Sequence, residues 1–273
     1  MPNWRLTCLS ALCVGVAVLG CASARQAYPA TTLRVMSYNI RSGNGNIEVT
    51  AATIRDNAPD IVALQEVDVH WAERSNFADQ ASALSERLGM AVRFAAIYRL
   101  APAHDSMPVR EFGVALLTRY PIVRWSNDSL TRLSTQEQNP EPRRMPGLLD
   151  VTINVNGTPV RVLDTHLDYR ANPAVRAAQV EEMLKVIDAS PLPTIVCGDM
   201  NAAPNAPELA PLLARLHDAW SAGKGSGFTY SAEEPTKRID YILVSARISV
   251  LSARVPETLA SDHRPVVADL IVR

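Results

Sequence analysis

Side chains capable of acid–base or metal chemistry recur where the apolar segments of this sequence end. Carboxylates, amides and imidazoles dominate the set: Asn39, Glu66, His166, Asp199, Asn201, Asp240, Asp262 and His263. A hard divalent cation such as Mg²⁺ prefers carboxylate and amide oxygens, whereas a zinc site would show clustered His or Cys at short spacing. The chemistry indicated is therefore metal-assisted. The imidazoles are available as general acid or base, or to stabilise charge on a phosphoryl oxygen.

The segment SDHRPVVADL, residues 261–270, shows this pattern most densely. Asp262, His263 and Arg264 stand together before Pro265 and an alternating apolar tail. Burial of an unpaired charge is unfavourable, so these groups must be solvated, paired or gathered around something charged. A polar turn would explain the triplet alone, and a capping or turn role would explain each of the other residues alone. Because almost every core segment ends in such a group, the joint pattern favours one shared site.

Apolar segments predict the elements that must position these residues. We expect strands at 33–40, 60–67, 112–118, 148–156, 161–168, 194–201, 238–245, 248–254 and 266–272, and helices at 49–59, 79–89, 173–189 and 207–216. Strands interleaved with helices predict an α/β fold of mixed sheets with helices outside. Polar stretches at 70–78, 99–111 and 124–147 fit neither element. We expect them to be loops that form a substrate rim.

Length and composition bound the class of protein. At 273 residues, the chain can bury the core of one large domain. The formal net charge is −1, with 27 Lys and Arg against 28 Asp and Glu, so no bulk electrostatic field attracts a polyanion. No internal repeat or low-complexity tract is visible, which argues against solenoids and disordered tails. Any partner must therefore be recognised at a local site, and we expect a monomer.

The first 24 residues have the three-part layout of an export signal. Arg5 precedes the uncharged stretch LTCLSALCVGVAVLG, which is short for a membrane span, and the small residues of CASA follow. VLGC at 18–21 resembles a bacterial lipobox and predicts a lipid-modified Cys21, whereas CASA offers an alternative cut after Ala24. Both alternatives place the mature protein outside the cytoplasm, as a periplasmic or membrane-anchored lipoprotein or as a secreted protein. Contact with a membrane is expected only through Cys21.

Seven short motifs follow one another along the chain: SYNI, LQEV, GVALLTRYPI, THLD, GDMN, RIDYI and SDHRP. In this order they resemble the endonuclease/exonuclease/phosphatase superfamily, over residues 32–273. The resemblance implies a four-layer αββα sandwich of two mixed, mainly antiparallel sheets. It also implies one phosphoesterase site that depends on Mg²⁺ or Mn²⁺, with a small phosphoester or a nucleic acid as substrate.

The resemblance further implies ligand and water-binding roles. Glu66 corresponds to the principal metal carboxylate, with Asn39 beside it binding metal or phosphate. Asp262 would contribute to metal binding or fix the tautomer of the neighbouring histidine. Asp199 would orient the attacking water, and Asn201 would hold the phosphate.

The two histidines of the motifs receive separate roles from the same resemblance. His263 corresponds to the base or charge-stabilising histidine, and Asp240 would pair with the histidine or phosphate network. His166 is similar to the histidine of the deoxyribonuclease and sphingomyelinase branches, where the abasic-site branch has a tyrosine. Glu111 either orients His166, as a carboxylate does in the deoxyribonucleases, or is a solvated loop carboxylate.

Arginines near two of the motifs suggest phosphate contacts. The segments EPRRM and THLDYRANPAVR resemble patterns in loosely characterised bacterial hydrolases of the superfamily. This resemblance implies that Arg144 and Arg170 bind substrate, since a guanidinium can hold a phosphate bidentately. For Arg176, a phosphate contact and a surface salt bridge with Glu181 or Glu182 both stay open.

Three functions are compatible with these features: an exported metal-dependent phosphoesterase, a secreted nuclease, and a binding module that has lost catalysis. Nucleic acid calls for cationic rim loops, and those of this chain are only modestly basic. A sphingomyelinase should carry an exposed apolar hairpin for membrane contact, and the sequence shows none. Loss of catalysis should appear as substitution at Glu66, Asp199 or His263, and all three residues are retained. The phosphoesterase is therefore the favoured hypothesis.

Overall fold

The computed structural model describes residues 1–2 and 30–273 of the chain, and the predicted export signal with Cys21 lies outside them. The strands of this part are β1 Thr31–Asn39, β2 Ile61–Val69, β3 Ala91–Leu100, β4 Arg110–Thr118, β5 Ile122–Arg132, β6 Arg143–Val155, β7 Thr158–His166, β8 Thr194–Asp199, β9 His217–Asp218, β10 Asp240–Val244, β11 Ile248–Arg254 and β12 Val266–Val272. The α-helices are α1 Ile47–Asn57, α2 Gln80–Leu88, α3 Ala174–Asp188 and α4 Ala210–Arg215. None of the helices in the described ranges has the length and apolar character needed to cross a membrane.

The strands form two six-stranded sheets. Sheet A has the order β11-β12-β1-β2-β4-β3, and sheet B has the order β5-β6-β7-β8-β10-β9. Neighbouring strands are antiparallel except for one parallel pair in each sheet, β1 with β2 and β7 with β8. A parallel pair needs a crossover connection, and α1 and α3 supply the two crossovers.

Apolar side chains on both faces of each sheet produce four layers. On β2, Ile61 and Ala63 belong to the core between the sheets, whereas Val62 and Leu64 pack with α1 and α2. A third cluster joins the outer face of sheet B to α3 and α4. Each fully buried Leu or Ile side chain contributes about 1.5–3 kcal/mol. The αββα sandwich implied by the sequence resemblance is confirmed.

The crossover helix α1 has clear local start and stop signals. The side chain of Asn46 accepts hydrogen bonds from the backbone N–H groups of Glu48 and Val49, which caps the helix N-terminus. The helix ends at Ala58, whose φ of 47° is left-handed, directly before Pro59. These signals return the chain to sheet A, so that β2 runs parallel to β1.

Strand direction brings the sequence motifs to one edge of the sandwich. Asn39 ends β1 and Glu66 lies near the end of its parallel neighbour β2, while His166 and Asp199 end the parallel pair β7 and β8. Strand β10 is antiparallel to β8, so Asp240 at its start pairs in register with Asp199. Strand β12 is antiparallel to β1, so the segment before it arrives at the same edge. The two parallel pairs and their antiparallel neighbours thus build one site from both sheets.

Three strands were not predicted from the sequence: β3, β5 and the two-residue β9, His217–Asp218. The expected loop at 124–147 is wrong over most of its length, because β5 continues to residue 132 and β6 begins at 143. Strand β3 at 91–100 was missed altogether. Both β3 and β5 lie at sheet edges and carry half-exposed polar side chains, so neither shows an apolar run or a clean alternation. The predicted loop at 70–78 holds no strand and includes a 3₁₀ turn at Glu73–Ser75. The predicted loop at 99–111 is a loop over 101–109, and its two ends belong to β3 and β4.

Candidate active site

An open cavity of about 360 Å³ lies at the edge where the motif residues converge. We call it the site cavity, and its lining residues are Glu66, His166, Tyr169, Asp199, Asn201, Tyr230, Lys237, Ile239, Asp262 and His263. Nine of the ten come from loops or strand ends on either sheet, so the cavity straddles the sandwich. Of the eight residues predicted to share a site, six line it directly.

Asn39 lies beneath the cavity and joins the two sheets. Its Nδ2 donates to Glu66 Oε1 at 3.0 Å and to Asp199 Oδ2 at 3.0 Å. The backbone N–H of Arg41 donates to Asn39 Oδ1 at 3.0 Å, which fixes the orientation of the amide. Since Asn39 is fully buried, its hydrogen bonds hold two carboxylates at a defined spacing.

Asp199 is the most enclosed carboxylate of the site cavity. Its Oδ2 lies 3.5 Å from His166 Nε2 and 3.7 Å from His263 Nε2, while its Oδ1 accepts a hydrogen bond from the backbone N–H of Asn201 at 2.9 Å. Burial and the nearby charge of Asp240 raise the pKa of Asp199, against the opposing effect of the two imidazoles. A carboxylate with a raised pKa, placed between two imidazoles, is suited to accept a proton.

His263 and Asp240 form a buried pair behind Asp199. His263 Nδ1 lies 2.9 Å from Asp240 Oδ2, and the ring of Tyr230 lies 4.8 Å from the imidazole between centroids. Burial lowers the pKa of His263, but the charges of Asp240 and Asp199 and the hydrogen bond outweigh it and raise the pKa to about 10. The imidazole is therefore protonated at neutral pH, and its Nε2 lies 3.7 Å from Asp199 Oδ2.

Unusual backbone conformations place several of these side chains. Glu66 and Asn201 have left-handed φ values of 56° and 49°, and Glu66 lies in a bulge of β2 against β4. Such conformations cost about 1–3 kcal/mol for residues other than glycine and are typical of functional sites. A β-bulge also redirects a side chain relative to the regular strand. Gly198 is required for close packing, because a Cβ there would lie 2.3 Å from the carbonyl oxygen of Thr165.

A protein-family model for the endonuclease/exonuclease/phosphatase family matches residues 36–263. The chain belongs to the endonuclease/exonuclease/phosphatase family. Members of this family hydrolyse phosphoester bonds. No curated protein matches the chain.

Solved structures share the fold. A family protein from Beutenbergia cavernae is 26% identical, with a TM-score of 0.69 over 88% of this chain and 72% of that chain. A mannosyl-6-phosphatase from Bacteroides thetaiotaomicron is 19% identical, with a TM-score of 0.65 over 87% and 99%. The catalytic domain of human nocturnin with bound sulfate is 24% identical, with a TM-score of 0.63 over 88% and 93%. At these identities the last two show the common fold alone.

The carboxylates of this family member suit a hard divalent cation. Glu66, Asp199, Asp240 and Asp262 converge on a region where Lys237 and protonated His263 supply the positive charge. Asp240 Oδ1 is buried and has no hydrogen-bond partner in the described part of the chain. This excess of carboxylate oxygens fits a hard divalent cation.

Two groups of donors are candidates for the metal ligands. Ligand atoms of Asp199, Asp240 and His263 lie within 4.8 Å of one another, but these side chains already bind each other or Asn39. The predicted carboxylate ligands, Glu66 and Asp262, are more exposed and line the site cavity. We favour Glu66 and Asp262, because both line the open cavity and Glu66 binds Asn39 through Oε1 alone, which leaves Oε2 for a cation.

The structure does not bring every predicted arginine to the site cavity. Arg144 pairs with Glu182 at 2.5 Å and does not line it. Arg170 pairs with Asp168 at 2.5 Å and lines a neighbouring cavity that Glu66 and His166 also line. The exposed Arg144 is therefore paired with α3 outside the site cavity, and its contact with substrate stays a prediction.

Two further charged residues from the sequence analysis have structural partners. Arg176 is buried and binds Glu208 at 2.7 Å, in place of either expected surface partner, and it donates to two main-chain carbonyl groups. Glu111 lies 3.7 Å from Arg99 and makes no hydrogen bond with His166 in the described part of the chain. Arg176 is thus a buried structural arginine, and Glu111 does not orient His166 in this conformation.

Sequence reasoning missed four residues that line the site cavity: Tyr169, Tyr230, Lys237 and Ile239. Tyr169 directly follows the THLD motif, and Lys237 stands three residues before Asp240 in TKRIDYI. Lys237 Nζ also lies 5.8 Å from the ring of Tyr230, which itself packs on His263. A cation just before a motif carboxylate was the available signal for Lys237. Tyr230 comes from a long connection, and its spacing from any motif gave none.

Proposed function

We propose that this protein is a divalent-metal-dependent phosphoesterase that hydrolyses a small phosphodiester or phosphomonoester. The observation that carries the proposal is the Asn39 amide, which joins Glu66 to Asp199 across the two sheets, next to two imidazoles on the same Asp199 carboxylate. The chain that carries this arrangement belongs to a family whose members hydrolyse phosphoester bonds. Retention of the acid, the amide and both imidazoles argues against a binding module without catalysis.

The residues of the site divide the chemistry between them. Asp199 is placed to hold the attacking water and accept its proton, because burial raises the pKa of this carboxyl group. Protonated His263 offsets charge on a phosphoryl oxygen in the transition state, and Asp240 holds it in that form. Lys237 and the Asn201 side chain are placed to contact the phosphate. A cation held by Glu66 and Asp262 would supply Lewis-acid stabilisation of the phosphoryl group.

The charge of the rim supports a small substrate over nucleic acid. Four arginines of the predicted rim loops lie within 4.0 Å of a carboxylate: Arg99 with Glu111, Arg124 with Asp150, Arg143 with Glu137 and Arg144 with Glu182. Paired guanidinium groups contribute little to the counterion release that drives nucleic-acid binding. One solved family structure is a mannosyl-6-phosphatase, so the fold also accommodates a small phosphate ester.

The function predicts metal-dependent turnover of simple esters. Bis-p-nitrophenyl phosphate or p-nitrophenyl phosphate should be hydrolysed with Mg²⁺ or Mn²⁺, and EDTA should abolish the activity. Glu66→Gln should raise the metal concentration for half-maximal activity about tenfold or more, because it removes an anionic ligand. A metal titration of activity for both proteins measures the shift.

Glu137→Gln is a matched control for this titration, since Glu137 lies on the exposed rim. It should leave the metal requirement unchanged. A folded wild-type protein that hydrolyses no ester of a wider panel, including plasmid DNA, phospholipids and inositol phosphates, would overturn the proposed function. An unchanged half-maximal metal concentration for Glu66→Gln would remove Glu66 from the metal site.

We also propose that the protein is exported and anchored through Cys21. The support is the sequence pattern of an apolar signal followed by VLGC. The mature wild-type protein should partition into a detergent phase, and Cys21→Ala should release it or stall its processing. Phase partitioning with N-terminal sequencing of the product tests this, and a soluble wild-type product that begins near Arg25 would contradict it.

A further inference from the structure

A second, smaller cavity of about 200 Å³ adjoins the site cavity. Glu66, His166 and Tyr169 line both of them, so the two are continuous at the candidate metal carboxylate. We call it the side cavity, and the other lining residues that bear on its chemistry are Tyr98, Phe112, Arg132, Asp168, Arg170 and Gln179. If the phosphoryl group occupies the site cavity, a group esterified to it can extend into the side cavity.

Aromatic rings form much of the side cavity. Phe112 and Tyr98 are stacked at 6.3 Å between centroids with an interplanar angle of 28°, and Trp71 supports Phe112 at 5.6 Å. Tyr169 is 63% exposed, and the guanidinium of Arg170 lies 5.1 Å from its ring. Rings held in this way offer faces and edges to a planar ligand ring. Stacking of one base on an aromatic side chain is worth about tenfold or more in affinity.

Two buried nitrogen donors that belong to lining residues have no partner in the described part of the chain. They are Nε of Arg132 and Nε2 of Gln179, and the two residues are 6% and 0% exposed. The Gln179 amide is oriented by its Oε1, which accepts a hydrogen bond from the backbone N–H of Asp168. Buried donors without acceptors are unfavourable, so a ligand oxygen, or a water molecule that it holds, would satisfy them.

The charge of the side cavity also favours an acceptor. Arg132 donates to the carbonyl oxygens of His166 at 2.7 Å and Gly147 at 3.0 Å, and it has no carboxylate within salt-bridge distance among the described residues. Burial lowers the pKa of Arg132 to about 10, which leaves it a cation at neutral pH. The carboxylate of Asp168 is already paired with Arg170. Apart from Glu66, which we assign to the cation, an ammonium group would find no unpaired carboxylate here, whereas carbonyl oxygens would find donors.

Its volume limits the side cavity to one ring. Pockets that enclose whole drug-sized ligands measure about 300–1,000 Å³, and the side cavity measures about 200 Å³. A lipid chain or a run of nucleotides exceeds it.

We propose that the side cavity binds a single planar ring with carbonyl oxygens, carried on the alcohol part of the phosphate ester. Phe112, Tyr98 and Tyr169 stack on the ring, and Arg132 and Gln179 bind its carbonyl oxygens. The inference rests on the proposed function, because it takes the site cavity as the position of the phosphoryl group. It adds the class of substrate: a small phosphate ester of a ring-bearing alcohol.

Three phosphate monoesters test this class by binding alone: thymidine 5′-phosphate, whose ring carries carbonyl groups, benzyl phosphate, whose ring carries none, and methyl phosphate. Calorimetric titration with Mg²⁺ should give the wild-type protein about tenfold or more higher affinity for thymidine 5′-phosphate than for methyl phosphate, with benzyl phosphate between them. Phe112→Leu should lower affinity for both ring-bearing esters about fivefold to tenfold and leave methyl phosphate unchanged. Phe94→Leu, in the core beneath α1 and α2, is the matched control and should alter none.

Gln179→Glu separates a carbonyl contact from simple stacking. It keeps the acceptor for Asp168 but replaces the free N–H donor with oxygen. It should therefore weaken thymidine 5′-phosphate about tenfold and leave benzyl phosphate unchanged, with thermal melts to verify folding. Equal wild-type affinities for the three esters, no binding of any of them, or ratios unaffected by Phe112→Leu would each overturn the proposal. Hydrolysis of thymidine 5′-phosphate p-nitrophenyl ester, assayed separately, distinguishes failure of the proposed function: ring-dependent binding without turnover would refute the function and leave the side cavity as inferred.

Discussion

Asp199→Asn is expected to lower kcat by about 10² to 10⁴, or roughly 3 to 5 kcal/mol, with KM nearly unchanged. The amide cannot accept the proton of the attacking water, although it has nearly the same shape. Its single carbonyl oxygen can keep only one of the two hydrogen bonds that Asp199 accepts from Asn39 and Asn201. The substitution also removes the repulsion between Asp199 and Asp240, which offsets that loss, so the melting temperature should change little. Steady-state kinetics on a nitrophenyl ester, with a thermal melt of each protein, measure both effects.

His263→Ala should lower kcat by a comparable factor but should also lower the melting temperature. The difference arises because His263 is buried and its loss leaves Asp240 without its partner. The double variant with Asp199→Asn should be far less than additive in kcat if both groups serve one step. Turnover must be normalised to the folded fraction, and full turnover per folded molecule in either single variant would remove that residue from the reaction.

Asp269→Asn is the control for both variants. Asp269 pairs with Arg34 at 2.8 Å on β12, outside the site cavity. Its replacement should leave kcat unchanged.

Asp164→Asn is expected to stabilise the protein increasingly as pH rises above about 4. Asp164 is fully buried between the sheets, and burial raises the pKa of its carboxyl group well above the usual value. Gln65 Nε2 donates to Asp164 Oδ1 at 2.6 Å, while Asp164 Oδ2 and Gln65 Oε1 have no partner as acceptors. A proton on Oδ2, donated to Gln65 Oε1, closes a cyclic acid–amide pair that satisfies all four atoms.

The sign of the pH dependence follows from this protonated carboxyl group. The folded state retains the proton and the unfolded state loses it above about pH 3.9. The free energy of unfolding of the wild-type protein therefore falls by about 1.4 kcal/mol per pH unit until the pH reaches the raised pKa of the folded state. The Asn side chain of the variant can keep the hydrogen bond with Gln65 across the two sheets, and it has no ionisable proton. Urea unfolding from pH 4 to 8 should therefore show a growing stability advantage of Asp164→Asn over wild type.

Asp269→Asn again provides the control, because it has the opposite sign. Arg34 lowers the pKa of Asp269, so the contribution of that carboxylate to stability is present above the unfolded pKa and is lost toward acid. The Asp269→Asn variant should thus be less stable than wild type at neutral pH and approach it at low pH. A stability difference between wild type and Asp164→Asn that stays constant from pH 4 to 8 would contradict a protonated Asp164.

The strands that lie in the centre of a sheet were the ones best predicted from the sequence. Strands such as β2 and β8 are buried on both faces, so they gave continuous apolar segments with a polar residue at the end. The edge strands β3 and β5 depend on backbone pairing with one neighbour and tolerate polar side chains on their free side. Their sequences therefore lacked the pattern from which a strand is predicted.

The site divides in a similar way. Residues such as Asn39 and Asp199 could be placed together because strand order and direction force strand ends to one edge. The side-cavity residues Arg132 and Gln179 come from an edge strand and a helix, and their burial depends on how the two pack. Arg144 is a different case. Its position beside a motif suggested substrate binding, but it forms an ion pair with Glu182 of α3 and does not line the site cavity.

The order of strands in sheet A determines the stage of synthesis at which all residues of the candidate site are present. Residues 122–244 build sheet B in one uninterrupted stretch, after which the chain returns to sheet A with β11 and β12. The last strand, β12, is inserted beside β1, and Asp262 and His263 immediately precede it. Although domains made during synthesis fold from the N-terminus onward, a nascent chain that stops before residue 262 lacks both Asp262 and His263 and leaves β1 with an open edge. The candidate site is therefore complete only after the segment that leads into β12 has been synthesised.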